Sequence, residues 1–227
     1  DRWTALALKS RAMLYAASIA NFGKEQLDGL LGFPQADANI YYQASLDASN
    51  EIIKFGPFSL YRESVDPVQN FGDLFIDENI NSEVIFKEKY DYDAQKSHQW
   101  DALAQPSGFG FNWSSNYTVY LETLEIFDFT DGTSGKLDRS IYDDATEIDP
   151  EWFFEMRDPR MKASIFYPGS SFKDGTVFFH RSMTGTKIDW PQSGPSKHIG
   201  SLATGLLIRK RTNPETPDAT RSSTDYI

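Results

Sequence analysis

Apolar residues recur at three- and four-residue steps through residues 3–20 and again through 38–53, a spacing that predicts two α-helices. In the first, Ala5, Leu8, Ala12, Tyr15 and Ile19 share one face. Leu6, Met13, Ala16, Ala17 and Ala20 widen it almost all the way round. A helix this apolar is expected to be buried on several sides, with Lys9 and Arg11 reaching outward. Asn21, Phe22 and Gly23 supply a stop. The second helix carries Tyr41, Ala44, Ala48 and Ile52, joined by Tyr42, Leu46 and Ile53. Small alanines in both allow close axial approach, so the two are expected to pair as a hairpin across residues 23–37.

Beyond Gly56 and Pro57 the pattern becomes irregular. Residues 71–76 suit a short helix, and 82–90 (SEVIFKEKY) alternate well enough for a strand. Residues 91–118 are polar, aromatic and rich in Asn, Ser and Gly, and a loop that long inside a domain is usually functional. Residues 119–129 read as a helix through Leu121, Leu124 and Phe127, closed by Asp131 and Gly132. Strand-like phrases follow at 162–167, 176–181 and 206–210. Residues 212–225, polar and Pro-containing, read as a linker or exposed loop.

Composition narrows the function. A net charge of −11 argues against nucleic acid, whose binders need a basic footprint, and disfavours direct binding to an anionic membrane surface. No apolar run approaches the ~18 residues that suggest a membrane span. The absence of cysteine excludes disulfides and thiolate metal sites. With neither a Met start nor a signal peptide, the chain reads as a mature piece or an excised fragment. Aromatic residues make up 15% of a chain whose mean hydropathy is −0.49, so rings either fill a core or stand on loops.

Catalytic and metal chemistry is poorly represented. His98, His180 and His198 are isolated from any metal-ligand spacing, so no metal site is expected of them. Asp128, Asp131 and Asp138 resemble a calcium loop only loosely, because Gly132 comes one position too early. Asp143 with Asp144, or Glu122 with Glu125, could serve a glycosidase, but 33 acidic residues make chance pairs common. Asn112 and Asn116 stand in formal glycosylation sequons. In RDPR (157–160), Asp158-Pro159 favours a turn that Arg157 and Arg160 tie to nearby carboxylates or carbonyls.

The opening pair resembles a tetratricopeptide helical pair, with a longer connection than usual. A lone repeat cannot bury its face, so neighbours are expected outside this chain. In order, ALALKSRAMLYAAS, YYQASLDASNEII, FSLY (58–61), NFGDLF (70–75), NSEVIF (81–86), VYLETLEIFDFTDG (119–132), RDPR and GLLIRK (205–210) resemble the SusD/RagB family of outer-membrane nutrient-binding lipoproteins. The resemblance spans roughly residues 3–210 and implies a central fragment of a longer protein. The implied fold is mostly α, with irregular loops and few short strands: a tetratricopeptide-like pair over 1–57 and an irregular portion over 58–227.

The resemblance further implies a cell-surface protein, lipid-anchored through a cysteine outside this chain, that captures oligosaccharide for a SusC-like TonB-dependent transporter. It implies no catalytic residue and no cofactor; a peptide-uptake homologue and a glycoside hydrolase are the alternatives. Sugars offer apolar ring faces edged with hydroxyls, which aromatic rings and polar side chains match. Loop 91–118 interleaves Tyr92, Trp100, Phe109, Phe111, Trp113 and Tyr117 with Asp93, Gln95, Asp101, Asn112 and Asn116. About half of these rings are expected to anchor the loop. The ligand set expected is Trp100, Asn112, Trp113, Asn116 and Tyr117.

Overall fold

In the computed structural model, which describes residues 1–77, 81–91, 93–106, 109, 116–141, 151–173, 175–177, 205–216, 222 and 225, the Asp1 carboxylate accepts the Thr4 N–H at 2.9 Å and opens helix α1 (Arg2–Phe22). Gly23 closes it: its N–H donates to the Ile19 carbonyl at 2.8 Å, and a Cβ there would sit 2.5 Å from that oxygen. Helix α2 (Ala38–Phe55) follows and packs on α1. The buried seam is made of small residues, Ala16, Ala17 and Ala20 from α1 with Ala38, Ser45 and Ala48 from α2. Ser10 and Ser49 share a 2.7 Å hydrogen bond across it, and the Ser45 hydroxyl donates to the Ser10 carbonyl at 2.8 Å.

That seam corrects the expected burial. The stripe of Ala5, Leu8, Ala12, Tyr15 and Ile19 faces away from α2, with Leu8 68% and Tyr15 60% exposed. Leu46 and Ile53 of α2 are exposed as well. Two helices approach most closely along their alanine and serine rows, so the bulky apolar rows point outward. Among the described residues no helix is long and apolar enough to cross a membrane.

The chain divides into two compact units, the first made of residues 1–60 and 81–87 with Ile227, the second of 61–80 and 88–226. In the second, Asp66 accepts the Val68 N–H at 2.8 Å and Pro67 takes the first position of α3 (Pro67–Asp73). The short helix expected at 71–76 therefore starts earlier, at its Asp-Pro cap. Two further short helices, α4 (Trp100–Ala104) and α5 (Leu121–Glu125), precede α6 (Pro159–Ser164), where Asp158 caps the Arg160 N–H at 2.8 Å ahead of Pro159. Residues 162–164 are thus helical rather than strand, and only β1 (Ile165–Phe166) remains extended.

Strand β1 pairs antiparallel with β4 (Leu207–Ile208), Phe166 opposite Leu207, and β2 (Ser171–Phe172) pairs with β3 (Gly175–Thr176). Alternation along β1 and the 206–207 segment divides the apolar residues between two cores. Ile165 and Leu206 join Leu124, Phe153 and Met161 in one. Phe166 and Leu207 join Phe109, Phe172 and Val177 in the other.

Two further expectations change. Residues 82–90 form no strand beyond an isolated bridge at Glu88, and among the described residues no neighbouring strand supplies a ladder for their backbone groups. The helix expected over 119–129 shrinks to α5, since tertiary pairing claims both ends: the Val119 N–H donates to Leu206 at 3.0 Å, and Phe129 bridges to Arg157. The 176–181 phrase begins in β3, and its residues 178–181 lie outside the described residues.

Buried Tyr61 donates its hydroxyl to Asp77 at 2.9 Å. Burial, then the bond to the Asp77 carboxylate, pushes the phenol from 10 up to about 12. A raised folded value means the native state keeps a proton that the unfolded chain releases. The stabilisation is complete below pH ~10 and is lost as pH climbs toward ~12. Spectrophotometric titration should therefore show Tyr61 among the late-ionising phenols, together with Tyr167, which burial and its bond to Glu155 push up as well. Asp77→Asn should bring back only the Tyr61 phenol, toward the ordinary value.

Candidate functional site

The aromatic residues of the 91–118 segment are brought together at the N-terminus of α4. The Trp100 N–H donates to His98 Nδ1 at 3.1 Å, and His98 exchanges two backbone hydrogen bonds with Ser222, at 3.0 and 2.8 Å. From the other side of the loop, the Asn116 N–H donates to the Leu103 carbonyl at 2.9 Å, and the Tyr117 carbonyl accepts from Ile208 at 3.0 Å. These contacts set the Trp100 and Tyr117 rings in a stack, centroids 5.1 Å apart and planes 26° from parallel. The Arg211 guanidinium carbon lies 5.2 Å from the Trp100 ring centre, in cation–π range.

Of the five expected ligand residues, the structure unites Trp100, Asn116 and Tyr117; Asn112 and Trp113 lie outside the described residues. Trp100 is half-buried, while Tyr117 keeps 38% exposure and Asn116 is exposed. One face of the indole is covered by the phenol, so Tyr117 is the more accessible ring of the pair. Trp100 Nε1 is buried without a hydrogen-bond partner among the described residues. Phe109, 5% exposed, belongs to the core and anchors the loop.

Asp101, the next residue, is among the polar groups that the loop pattern offers to a ligand. It is 1% exposed and spends its carboxylate on its own chain, accepting the Asn213 N–H and the Thr216 hydroxyl, both at 2.8 Å. Its N–H donates to Ser222 Oγ at 2.9 Å. Residues 212–225 are therefore no loose linker in their described part: Thr212, Ser222 and Asp225 are buried. Asp225 adds a bond from the Tyr90 N–H at 2.8 Å, and its carbonyl accepts from Arg211 Nη2 at 3.3 Å. A buried carboxylate holding a distant backbone segment is invisible to periodicity; only the placement of Asp101 inside α4 reveals it.

The other acidic groups serve structure as well. Arg139 donates to Glu122 and to Glu125, each at 3.0 Å. Asp131 accepts from Thr133 N–H and hydroxyl at 2.9 and 2.7 Å, Asp138 from Ser140 at 3.0 and 2.6 Å, and Asp128 from the Gly135 N–H at 2.9 Å. Hydrogen bonds from the Thr133 and Ser140 side chains hold the Asp131 and Asp138 carboxyls below their usual range. A backbone hydrogen bond, then Arg139, does so for Glu122. A general acid for glycoside cleavage needs the opposite shift. Asp143, Asp144, His180 and His198 lie outside the described residues. Among those described, no group of three or more His, Asp or Glu residues is placed to hold a metal ion.

A family model described as the SusD family matches residues 82–227, the part that carries this aromatic stack. The chain belongs to the SusD family. Among solved structures it is similar to a SusD-like protein from Bacteroides fragilis, at 20% identity and a TM-score of 0.64, covering 99% of this chain and 39% of that one. It is also similar to a SusD-like carbohydrate-binding protein from the same species, at 18% identity and a TM-score of 0.57, covering 92% of this chain and 40% of that one. The chain thus spans about two-fifths of the length of those proteins, and the mostly helical fold with few short strands is common to them. No curated protein matches it.

Proposed function

We propose that the protein binds oligosaccharide at the cell surface, on the Trp100–Tyr117 stack, and passes it to a SusC-like TonB-dependent transporter. The carrying observation is that stack: two rings held by backbone bonds on both flanks, the outer one 38% exposed, with Asn116 beside it. A pyranose face matches such a platform, and exposed amide and hydroxyl groups bond its edges. The family membership and the carbohydrate-binding name of one structural neighbour support the same reading. The protein acts here as a binder rather than an enzyme, anchored by lipid through a cysteine outside these 227 residues. Asn112 and Trp113, close in sequence to Tyr117, are proposed to extend the platform.

A sugar face on one ring removes roughly 50–80 Å² of apolar surface from water, about 1–2 kcal/mol at ~25 cal/mol per Å². Tyr117→Ala should therefore weaken oligosaccharide binding about five- to thirtyfold, measured by calorimetric titration across a glycan panel. Trp100→Ala should weaken it comparably and also lower the melting temperature, because the indole supports Tyr117. Unchanged affinity in both variants would return the rings to packing. Peptide ligands run alongside test the uptake alternative, and release of shorter sugars would point to a hydrolase.

A further inference from the structure

Arg211 takes part in another feature. Besides lying over Trp100, it lines a cleft of about 220 Å³ bounded by α3, Ala163 of α6, residues 171–173 and residues 209–214. Such a volume is below the ~300–1,000 Å³ typical of pockets that enclose a drug-sized molecule, and suits one substituent of a larger ligand. Its wall is cationic in a chain of net charge −11: Lys173, Arg209 and Arg211 line it against the single carboxylate of Asp73. Asp73 Oδ1 is already taken by Gln69 Nε2 at 2.6 Å.

Arg209 is the telling residue. Its guanidinium is half-buried, and its one hydrogen bond among the described residues is a long one, from Nη1 to the Lys162 carbonyl at 3.3 Å. Its carbon lies 5.3 Å from the Phe166 ring centre, and no described carboxylate pairs with it. Burial accordingly pulls its pKa below the ordinary guanidinium value. Among the described residues Lys173 likewise meets neutral acceptors, the Phe109 carbonyl at 3.0 Å and Gln105 Oε1 at 3.4 Å. Thr212 is 5% exposed, lines the same cleft, and has a buried hydroxyl with no partner among the described residues. Lys173 and Arg211 moreover hold positive φ, 50° and 69°, a conformation that costs side-chain-bearing residues energy.

A half-buried guanidinium with no counter-charge among the described residues, flanked by the exposed Lys173 ammonium and by a buried hydroxyl with no described partner, is what an anion would satisfy. A guanidinium can bond an oxyanion through two parallel N–H groups. We propose that this cleft binds an oxyanion: the carboxylate or sulfate of an acidic oligosaccharide whose neutral portion rests on the Trp100–Tyr117 stack. The proposal rests on the glycan reading for the identity of the carrier, on Arg209 and Lys173 for its charge, and on the Thr212 hydroxyl as a further donor.

The test is calorimetric titration of the full-length protein with oligosaccharide pairs differing only in the charged group. One pair is oligogalacturonate and its methyl ester, another a sulfated galactan oligosaccharide and its desulfated form, with sodium sulfate as a sugar-free probe. Expected is about tenfold or greater preference for the charged member of a pair, abolished by Arg209→Gln, which leaves the neutral member's affinity unchanged. Lys173→Gln, at an exposed position, replaces it should Arg209→Gln fold poorly. Equal binding of charged and neutral members, or binding of neutral ones alone, would overturn the anion cleft while the glycan reading stands. Arg209-dependent binding of sulfate with no binding of either sugar would overturn the acidic oligosaccharide and, with it, the glycan reading. A protein that binds none of these probes would overturn both.

Discussion

Arg157→Ala is expected to cost about 3–5 kcal/mol of folding stability. The guanidinium is fully buried. Nε donates to the Phe153 carbonyl at 2.8 Å, and Nη1 reaches the carbonyls of Phe127 at 2.8 Å, Gly135 at 3.0 Å and Leu124 at 3.4 Å. It also lies 4.4 Å from the Phe129 ring centre. One side chain therefore satisfies the carbonyls where α5 ends and the loop after it returns. Alanine takes the donor away from the Phe127 and Gly135 carbonyls, at roughly 1–3 kcal/mol each when water cannot replace it, whereas the Leu124 carbonyl keeps the Phe127 N–H at 3.1 Å. The melting temperature should fall by about 10 °C. Arg157→Lys should recover little of it, since a single ammonium cannot reproduce the fork. Gly135→Ala should fail similarly: its Cβ would lie 2.1 Å from the Phe127 carbonyl and 2.7 Å from Arg157 Nη1. A loss below about 1 kcal/mol by chemical denaturation would show that water replaces the donors.

Asp101→Ala is expected to cost about 2–4 kcal/mol and to loosen residues 213–216 together with the Trp100 end of α4. Two donors, the Asn213 N–H and the Thr216 hydroxyl, would lose a charged acceptor in a dry site. Asp101→Asn should recover part of the loss, because its amide keeps one oxygen and the Thr216 hydroxyl can turn to accept from the new NH₂. Limited proteolysis should find new cleavage near 213–216 in the alanine variant and much less in the asparagine variant. Sugar affinity should follow the same order, since Trp100 and Arg211 flank the network. A proteolytic pattern unchanged in Asp101→Ala would mean that the segment is held by other contacts.

Much of the fold is legible where local physics decides it. The helices of the opening hairpin follow from three- and four-residue spacing, and their close approach from alanine; the serines that join the seam appear only in the structure. Asp158-Pro159 is legible as a turn, although it caps a helix only six residues long, whereas the Asp66-Pro67 start of α3 goes unread and places that helix too late. The resemblance rests on ordered phrases, and the family match covers residues 82–227. The site is legible in part. Trp100, Asn116 and Tyr117 lie together, yet nothing in their spacing tells that the rings stack on each other or that Asp101 between them points inward.

Composition and periodicity by themselves determined a helical start, an acidic chain without a metal or nucleophile motif, and a long segment of interleaved aromatic and polar residues. Tertiary structure decided which side of α1 is covered, because the choice between an alanine row and a leucine row depends on the partner helix. It decided that residues 82–90 remain irregular and that residues 119–129 keep five helical residues, since strand pairing needs a partner and helix ends yield to one. It decided the roles of the charges as well. Sequence marks Arg157 as a structural tie to carboxylates or carbonyls but presents Arg209 and Arg211 as equivalent cations; burial and distance make Arg157 a clamp on carbonyls and leave Arg209 without a counter-ion among the described residues. Such differences lie in contacts between residues far apart in the chain, which no local pattern encodes.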